Sequence, residues 1–357
     1  MEVFKHNRIF DFVSWSKYGL ILSILLSVVS LYLFFGIGFN LGIDFAGGSA
    51  VQIQINTAAK DRQMDFSDKQ IALDSKNINS SGILHETTNN NNSIIQTIRE
   101  LLEQDSRFNN AQVSNFGSNK EFLIKIPFHS DLQSTTLANR LHEILSPIGE
   151  FEIRKLDTVG PKVGDELARS AIISLVLAVI AMMLYVSFRY EWRFALASII
   201  ALVHDVMITA ASVIVFKIDL NLEVVAALLT LLGYSINDTI IVFDRIREKM
   251  LQGKKMSIEE VINEAISHTL SRTILTSLTM FFVVLTLYVF GGKIIVGFSL
   301  PLLVGVVFGT YSSMFVAPKL AILFGFSIEK YYAREIQKVK KAEEKARMRK
   351  LYEGGRV

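Results

Sequence analysis

The sequence contains no cysteine among its 357 residues. Disulfides, cysteine-ligated zinc and thiol nucleophiles are therefore excluded, and any water-exposed part must fold on its own core. Charge is sparse, at 20% of residues, and the net balance is only +3. No basic stripe with interleaved aromatics occurs, so nucleic acid is not expected as a partner. Nucleophile motifs, phosphate loops and paired-carboxylate signatures are also missing. His129 and His142 have no second ligand at a recognisable spacing and read as surface or packing residues. The sequence therefore predicts no metal, no cofactor and no enzyme.

What fills the chain instead is apolar: 50% of residues are hydrophobic and the mean hydropathy is +0.37. The excess lies in six runs long enough to cross a bilayer. They are Tyr18–Phe39, Ser170–Phe188, Phe194–Phe216, Val224–Phe243, Ile266–Phe290 and Ile294–Phe324. The first run, of about 22 residues, exceeds a signal-peptide core and reads as a span rather than a leader. Lys5, Arg8 and Lys17 precede the first run, and Arg189 and Arg193 separate the second from the third. Arg245, Arg247, Lys249, Lys254 and Lys255 lie between the fourth and fifth, and a basic tail runs from Lys330 to Arg356. The alternate short loops carry only Lys217, beside Asp219 and Glu223, and Lys293. Every basic segment falls on one side if both termini are cytoplasmic. The expectation is a multi-pass protein of a bacterial inner membrane with one large periplasmic loop.

That loop, residues 40–167, is polar enough to be soluble. Gly48–Ile55 alternates as a strand does, and Ile94–Leu102 has helical spacing. Ala111–Phe116 and Phe122–Ile126 read as a strand pair, Leu132–Leu145 as a helix ended by Pro147 and Gly149, and Phe151–Leu156 as a last strand. The order β-α-β-β-α-β is that of an α+β ferredoxin-like sandwich. Residues 56–92, rich in Asn, Asp, Ser and Lys, read as a flexible insertion. The remaining organisation is a cytoplasmic segment 1–17, a first span 18–39, five further spans in 168–326 and a cytoplasmic tail 327–357. Met256–Ser267 has an amphipathic face and is expected to lie along the cytoplasmic surface.

Ionisable residues inside the spans carry the functional signal, because they are costly in hydrocarbon and usually face a protein interior or a water cavity. In the third run Ser198, Asp205, Thr209 and Ser212 share a helix face, with His204 beside Asp205. In the fourth, Thr230, Tyr234 and Asp238 step by four, with Asn237 adjacent. In the fifth, Arg272, Thr276 and Thr279 step by four and three. Three such faces are expected to meet around a polar interior. Asp238 then lies roughly 8 Å and Arg272 roughly 9 Å from the cytoplasmic ends of their helices, so the two are placed to pair. Asp205 lies roughly 17 Å in. In general burial disfavours a carboxylate's charge and a guanidinium favours it, a competition that suits proton loading and release. A structural ion pair that only fixes helix contacts is the other reading of the same residues. Gly305 and Gly309 form a GxxxG in the sixth run, after Gly297 and Pro301, and read as ordinary helix packing.

Several segments resemble one family. Gly42–Ser49 (GIDFAGGS), Gly160–Leu167 (GPKVGDEL), His204-Asp205, Gly233–Glu248 (GYSINDTIIVFDRIRE), His268–Thr273 (HTLSRT), Phe290–Gly292 and Gly297–Ser299 are similar to the motifs of SecF-type members of the SecD/SecF family. The resemblance implies a resistance-nodulation-division (RND) type membrane fold with a ferredoxin-like periplasmic domain. It implies an accessory role in Sec protein export, driven by the proton motive force, beside a SecD-like subunit and the SecYEG channel that passes unfolded preproteins. The family's functional Asp and Arg fall on Asp238 and Arg272. An RND-type exporter of small molecules or lipids would need a second six-helix half, which this chain lacks. A structural scaffold of the translocon is the remaining alternative.

Overall fold

A computed structural model describes residues 9–55, 82–116, 120–129, 134–252, 256–325, 337, 340, 341 and 343–349. Six helical segments are long and apolar enough to cross a membrane: Phe12–Ile37, Pro161–Arg189, Trp192–Val215, Leu222–Met250, Ile258–Phe290 and Ile295–Leu323. We label the helices α1 (Phe12–Tyr32, continued by a π-helical turn Leu33–Ile37), α2 (Ile43–Ala46), α3 (Gly82–Glu103), α4 (Ser134–Leu145) and α5 (Pro161–Arg189). Then come α6 (Trp192–Val215), α7 (Leu222–Gln252), α8 (Ile258–Phe290), α9 (Gly292–Tyr311, continued by a π-helical turn Ser312–Val316) and α10 (Ala317–Leu323).

The α/β domain sits between the first and second spanning helices. Its strands are β1 (Gly48–Ile55), β2 (Gln112–Asn115), β3 (Glu121–Pro127) and β4 (Phe151–Val159). They form one sheet in the order β2-β3-β1-β4 with every neighbour antiparallel. With α3 and α4 in sequence this is the expected ferredoxin-like arrangement. The alternation read in β1 is the cause: Val51, Ile53 and Ile55 turn to one face. There they meet Ile124 and Ile126 of β3, Ile98 and Leu102 of α3, and the Leu137, Leu141, Leu145 stripe of α4. These side chains are buried, so truncating one, such as Leu141→Ala, costs about 2–5 kcal/mol.

Three expectations shift. The helix expected to begin at Ile94 begins at Gly82, so part of the supposed insertion is helical; residues 56–81 lie outside the described residues. The segment Met256–Ser267 does not lie along the surface as a separate element. From Ile258 it is the first three turns of α8, opened by a capping box in which Ser257 and Glu260 satisfy each other's backbone N–H groups. Its apolar face, Val261, Ile262, Ala265 and Ile266, packs on Val242, Phe243, Ile246 and Met250 of α7. Finally, with α8 starting at Ile258, Arg272 lies roughly 21 Å along it, not roughly 9 Å.

In the membrane bundle α6, α7 and the sixth span, α9 with α10, are the buried helices, while α1, α5 and α8 are largely exposed on their outer sides. Close approach comes from small residues, because lipid offers no hydrophobic drive for helices to associate. Ala197, Ala201, Ala227, Ala265, Ala317 and Ala321 are all buried at helix contacts.

Candidate functional site

The site grows from the polar face of α6. Ser198, Asp205, Thr209 and Ser212 are all buried, as their shared face implies. Asp205 has no exposed surface. Its Oδ2 accepts hydrogen bonds from Ser235 Oγ of α7 at 2.5 Å and from Ser312 Oγ at 2.7 Å. Its Oδ1 lies 3.0 Å from Nδ1 of His204. Three donors on three segments thus satisfy one buried carboxylate. Ser312 opens the π-helical turn that follows α9, the kind of helix irregularity often found where a side chain has a task.

The two glycines of the GxxxG bring α9 to this point. A Cβ on Gly305 would lie 2.8 Å from both Leu231 methyl carbons and 3.0 Å from Thr209 Oγ1. A Cβ on Gly309 would lie 3.3 Å from the Ser235 Cβ and 3.7 Å from Asp205 Oδ2. The motif read as ordinary packing is therefore what lets the backbone of α9 close over Asp205.

The second acid, Asp238, lies one turn beyond Ser235 on α7 and is also fully buried. Its Oδ2 accepts from Ser277 Oγ of α8 at 3.3 Å. Ser277 Oγ in turn accepts from Thr310 Oγ1 of α9 at 2.7 Å. Asp238 Oδ1 has no hydrogen-bond partner among the described residues. The same holds for the buried polar atoms His204 Nε2, Thr209 Oγ1, Tyr234 Oη and Thr273 Oγ1. Four helices thus enclose a polar core in which Asp205 is fully bonded and Asp238 is held by one long bond. A bare buried carboxyl oxygen carries a desolvation cost that a proton or an entering water relieves.

The other expected members lie elsewhere. Asn237 is exposed, turned away from the core although adjacent to Asp238. Arg272, Thr276 and Thr279 share a face as expected, but that face is exposed. The residues of α8 that turn inward are Thr273 and Ser277. Arg272 forms no ion pair with Asp238 among the described residues and reaches it only by its charge at longer range. Thr230 is exposed too, because two steps of four residues drift by about 80° around a helix.

Ser235, Ser277, Thr310 and Ser312 were not singled out from sequence. For Thr310 and Ser312 the one sequence signal was the cluster Thr310, Ser312 and Ser313 in a mostly apolar sixth span; Ser235 and Ser277 had none. Among the described residues no three His, Asp or Glu side chains group as metal ligands. His142 stacks on Phe151 with ring centroids 4.6 Å apart, and His129 Nε2 is buried without a partner among the described residues.

With this geometry the chain was compared with known proteins. Residues 140–327 match the model of the protein export membrane protein SecD/SecF C-terminal family, and residues 32–59 match the SecD/SecF GG motif. The chain belongs to the SecD/SecF family. It is 55% identical over 357 residues to the protein translocase subunit SecF of Helicobacter pylori strain 26695, covering 100% of each chain. To SecF of Escherichia coli O157:H7 it is 32% identical over 342 residues, 95% of each. The crystal structure of SecDF from Thermus thermophilus, described as a translocon-associated membrane protein, matches with TM-score 0.72 and 30% identity. That match covers 90% of this chain but only 40% of the SecDF chain. A SecDF structure in a super-membrane-facing form gives TM-score 0.60 at 30% identity, covering 94% of this chain and 40% of that one. Six spans and the ferredoxin-like sheet thus agree with the family expected from the motifs.

Proposed function

We propose that this SecF-type chain is the accessory Sec-export subunit in which a buried carboxyl on the fourth span takes up and releases protons, moving preproteins outward across the inner membrane. The export role rests on full-length likeness to SecF subunits. The proton role rests on one observation: among the described residues Asp238, buried in a polar core, has a single 3.3 Å hydrogen bond and a bare oxygen. A membrane potential supplies about 2.3 kcal/mol per charge per 100 mV, enough to bias loading of such a group. Asp205, bonded to α7 and to the π-helical turn, holds three helices in register around it, and His204 backs Asp205.

Arg272 and Asn237 enter this reading differently from the sequence expectation. Both lie exposed on adjacent helices of the lone chain, and α7 presents the small or polar stripe Ala226, Thr230, Gly233 and Asn237 outward. A charge at such depth is costly against lipid, and small residues permit close helix contact. A SecD-like membrane subunit covering this face gives Arg272 and Asn237 a protein environment. On this reading both termini are cytoplasmic and the α/β domain is periplasmic, which the one-sided distribution of the basic segments supports, and the chain works beside the SecYEG channel.

The test is Asp238→Asn in membranes containing the partner subunit. The variant is expected to assemble and co-purify normally while proton-motive-force stimulation of preprotein export falls to background. Export at the parental level would contradict the proposal and favour the scaffold reading.

A further inference from the structure

The GG motif region does more than start the first strand. Its backbone is bonded to the loop that joins α6 to α7, the two helices that carry the buried acids. Gly42 N–H donates to the Leu220 carbonyl at 2.8 Å, and Leu220 N–H donates to the Asn40 carbonyl at 2.7 Å. Leu41 and Leu220 thereby form a parallel bridge outside the sheet. One turn on, Asp44 Oδ2 accepts the N–H of Leu222, the first residue of α7, at 3.0 Å. A carboxylate at a helix N-terminus satisfies an otherwise orphan donor and meets the positive end of the helix dipole. Asn221 caps the same helix through Val224 N–H at 3.0 Å. From the sheet, Lys125 of β3 pairs with Asp219 of the same loop.

The joint is tight on its other sides. Phe45, beside Asp44, is buried with Ala171 of α5 and Val225 of α7. A Cβ on Gly164 of α5 would lie 2.8 Å from the Phe45 carbonyl oxygen. Gly48 holds φ +141° with Ile126 O placed 2.5 Å from where a Cβ would be, so β1 leaves the joint without slack. The short helix α2 is thus wedged between α5, the head of α7 and the root of the sheet.

We propose that Asp44 is a positioning residue that fastens the head of the fourth span to the periplasmic domain, so that movement of α7 is passed to the domain as a rigid displacement. This rests on the reading of Asp238 as the proton-exchanging group. Asp238 lies roughly 24 Å along α7 from Leu222, and Asp205 roughly 16 Å along α6 from the same loop. A shift of either helix on proton loading therefore arrives at the loop that Asp44, the Leu41–Leu220 bridge and Lys125 grip. Two features distinguish a rigid fastening from a hinge. The first is that both backbone and side-chain bonds cross it; the second is that its glycines are filled by neighbouring backbone.

The experiment uses the full chain with its partner subunit in energised membrane vesicles. The absence of cysteine allows introduced pairs to be read cleanly. Asp44→Ala is expected to lower proton-motive-force stimulation of export about tenfold, in line with losing one charged hydrogen bond at the joint. Asp44→Asn, whose amide oxygen still accepts from Leu222 N–H, is expected to retain most of it. Spin labels on β2 and on the C-terminal end of α8, which lies outside the joint, are expected to change separation on energisation in the parent and in Asp44→Asn, and to stop responding in Asp44→Ala. A disulfide between Leu41→Cys and Leu220→Cys is expected to leave export intact, because the joint does not open. Parental export by Asp44→Ala, or loss of export on forming the disulfide alone, overturns the proposal; the disulfide arm decides even if Asp44→Ala fails to fold. Asp238→Asn is run in parallel. If it exports normally, the proton reading itself has failed; if it is inactive while Asp44→Ala is normal, only the joint has.

Discussion

Two buried aspartates stand on neighbouring helices of one bundle, and their surroundings differ. Asp205 receives Ser235, Ser312 and His204, and the backbone of α9 is drawn over it by Gly305 and Gly309. Among the described residues Asp238 receives only Ser277 and keeps a bare oxygen. The first arrangement is costly to disturb, since every donor released would also be left unpaired. The second is already unsatisfied, so a change of protonation there rearranges less and gains more. The same side chain thus serves as a fastener in one place and as an exchangeable group in the other.

The comparison is broken most completely at Gly305. Gly305→Leu places a side chain where Leu231 and Thr209 already stand, and overpacking of this kind costs about 1–3 kcal/mol or more. The chain is expected to accumulate poorly and to lose its partner on purification, whichever acid is intact. A sharper separation comes from Asp205→Asn. Both serines donate to the same oxygen, so the new amide NH2 faces either the two hydroxyls or Nδ1 of His204 and breaks the all-acceptor set, and the bundle is expected to lose about 1–3 kcal/mol of stability, seen as a lower unfolding temperature in detergent. Asp238→Asn, in contrast, is expected to unfold at the parental temperature while losing its proton response. If both substitutions destabilise equally, the distinction between fastener and exchanger fails.

The smallest effect lies outside the membrane and shows what an ordinary paired carboxylate does. Asp105 accepts from Arg107, through side chain and backbone, and from Arg140, bonds that hold its carboxyl well below the usual range. Its folded value is below its unfolded one, about 3.9. The stability it adds is therefore complete above that unfolded value and is lost as pH falls through the folded value. Asp105→Asn is expected to weaken hydrogen-exchange protection of β1 and β3 slightly near neutral pH. The difference from the parent is expected to vanish in strong acid. A difference that grows with acid would have the wrong sign.

Much of this was legible in the sequence, for reasons that can be named. The alternation of Gly48–Ile55 and the four-residue steps of Leu137, Leu141 and Leu145 fixed a half-buried strand and a one-faced helix, and the sheet followed. Asp205 and Asp238 stood out because charge in hydrocarbon needs a reason. The stripe Arg272, Thr276, Thr279 misled because a period states which residues share a face, not where the face points. The start of α8 was missed although Ser257 and Glu260 spell a capping box, because the amphipathic face of Met256–Ser267 fits a helix lying on the membrane surface as well as one packed on α7. The hydroxyls that complete the site were not legible, since most intramembrane Ser and Thr bond to their own helix. Ser198 does so to Phe194, Thr230 to Ala226 and Thr279 to Leu275. Only the packing of four helices shows that Ser235, Ser277 and Ser312 reach across to the acids, Ser312 while also within reach of its own helix at the Gly309 carbonyl.

The most direct measurement is infrared difference spectroscopy on the chain with its partner in membranes, comparing energised and resting states for a protonated carboxyl band. The expected result is a band that disappears in Asp238→Asn and survives, at most shifted, in Asp205→Asn. A band that survives in Asp238→Asn and disappears in Asp205→Asn would assign proton exchange to the well-bonded acid and contradict the account.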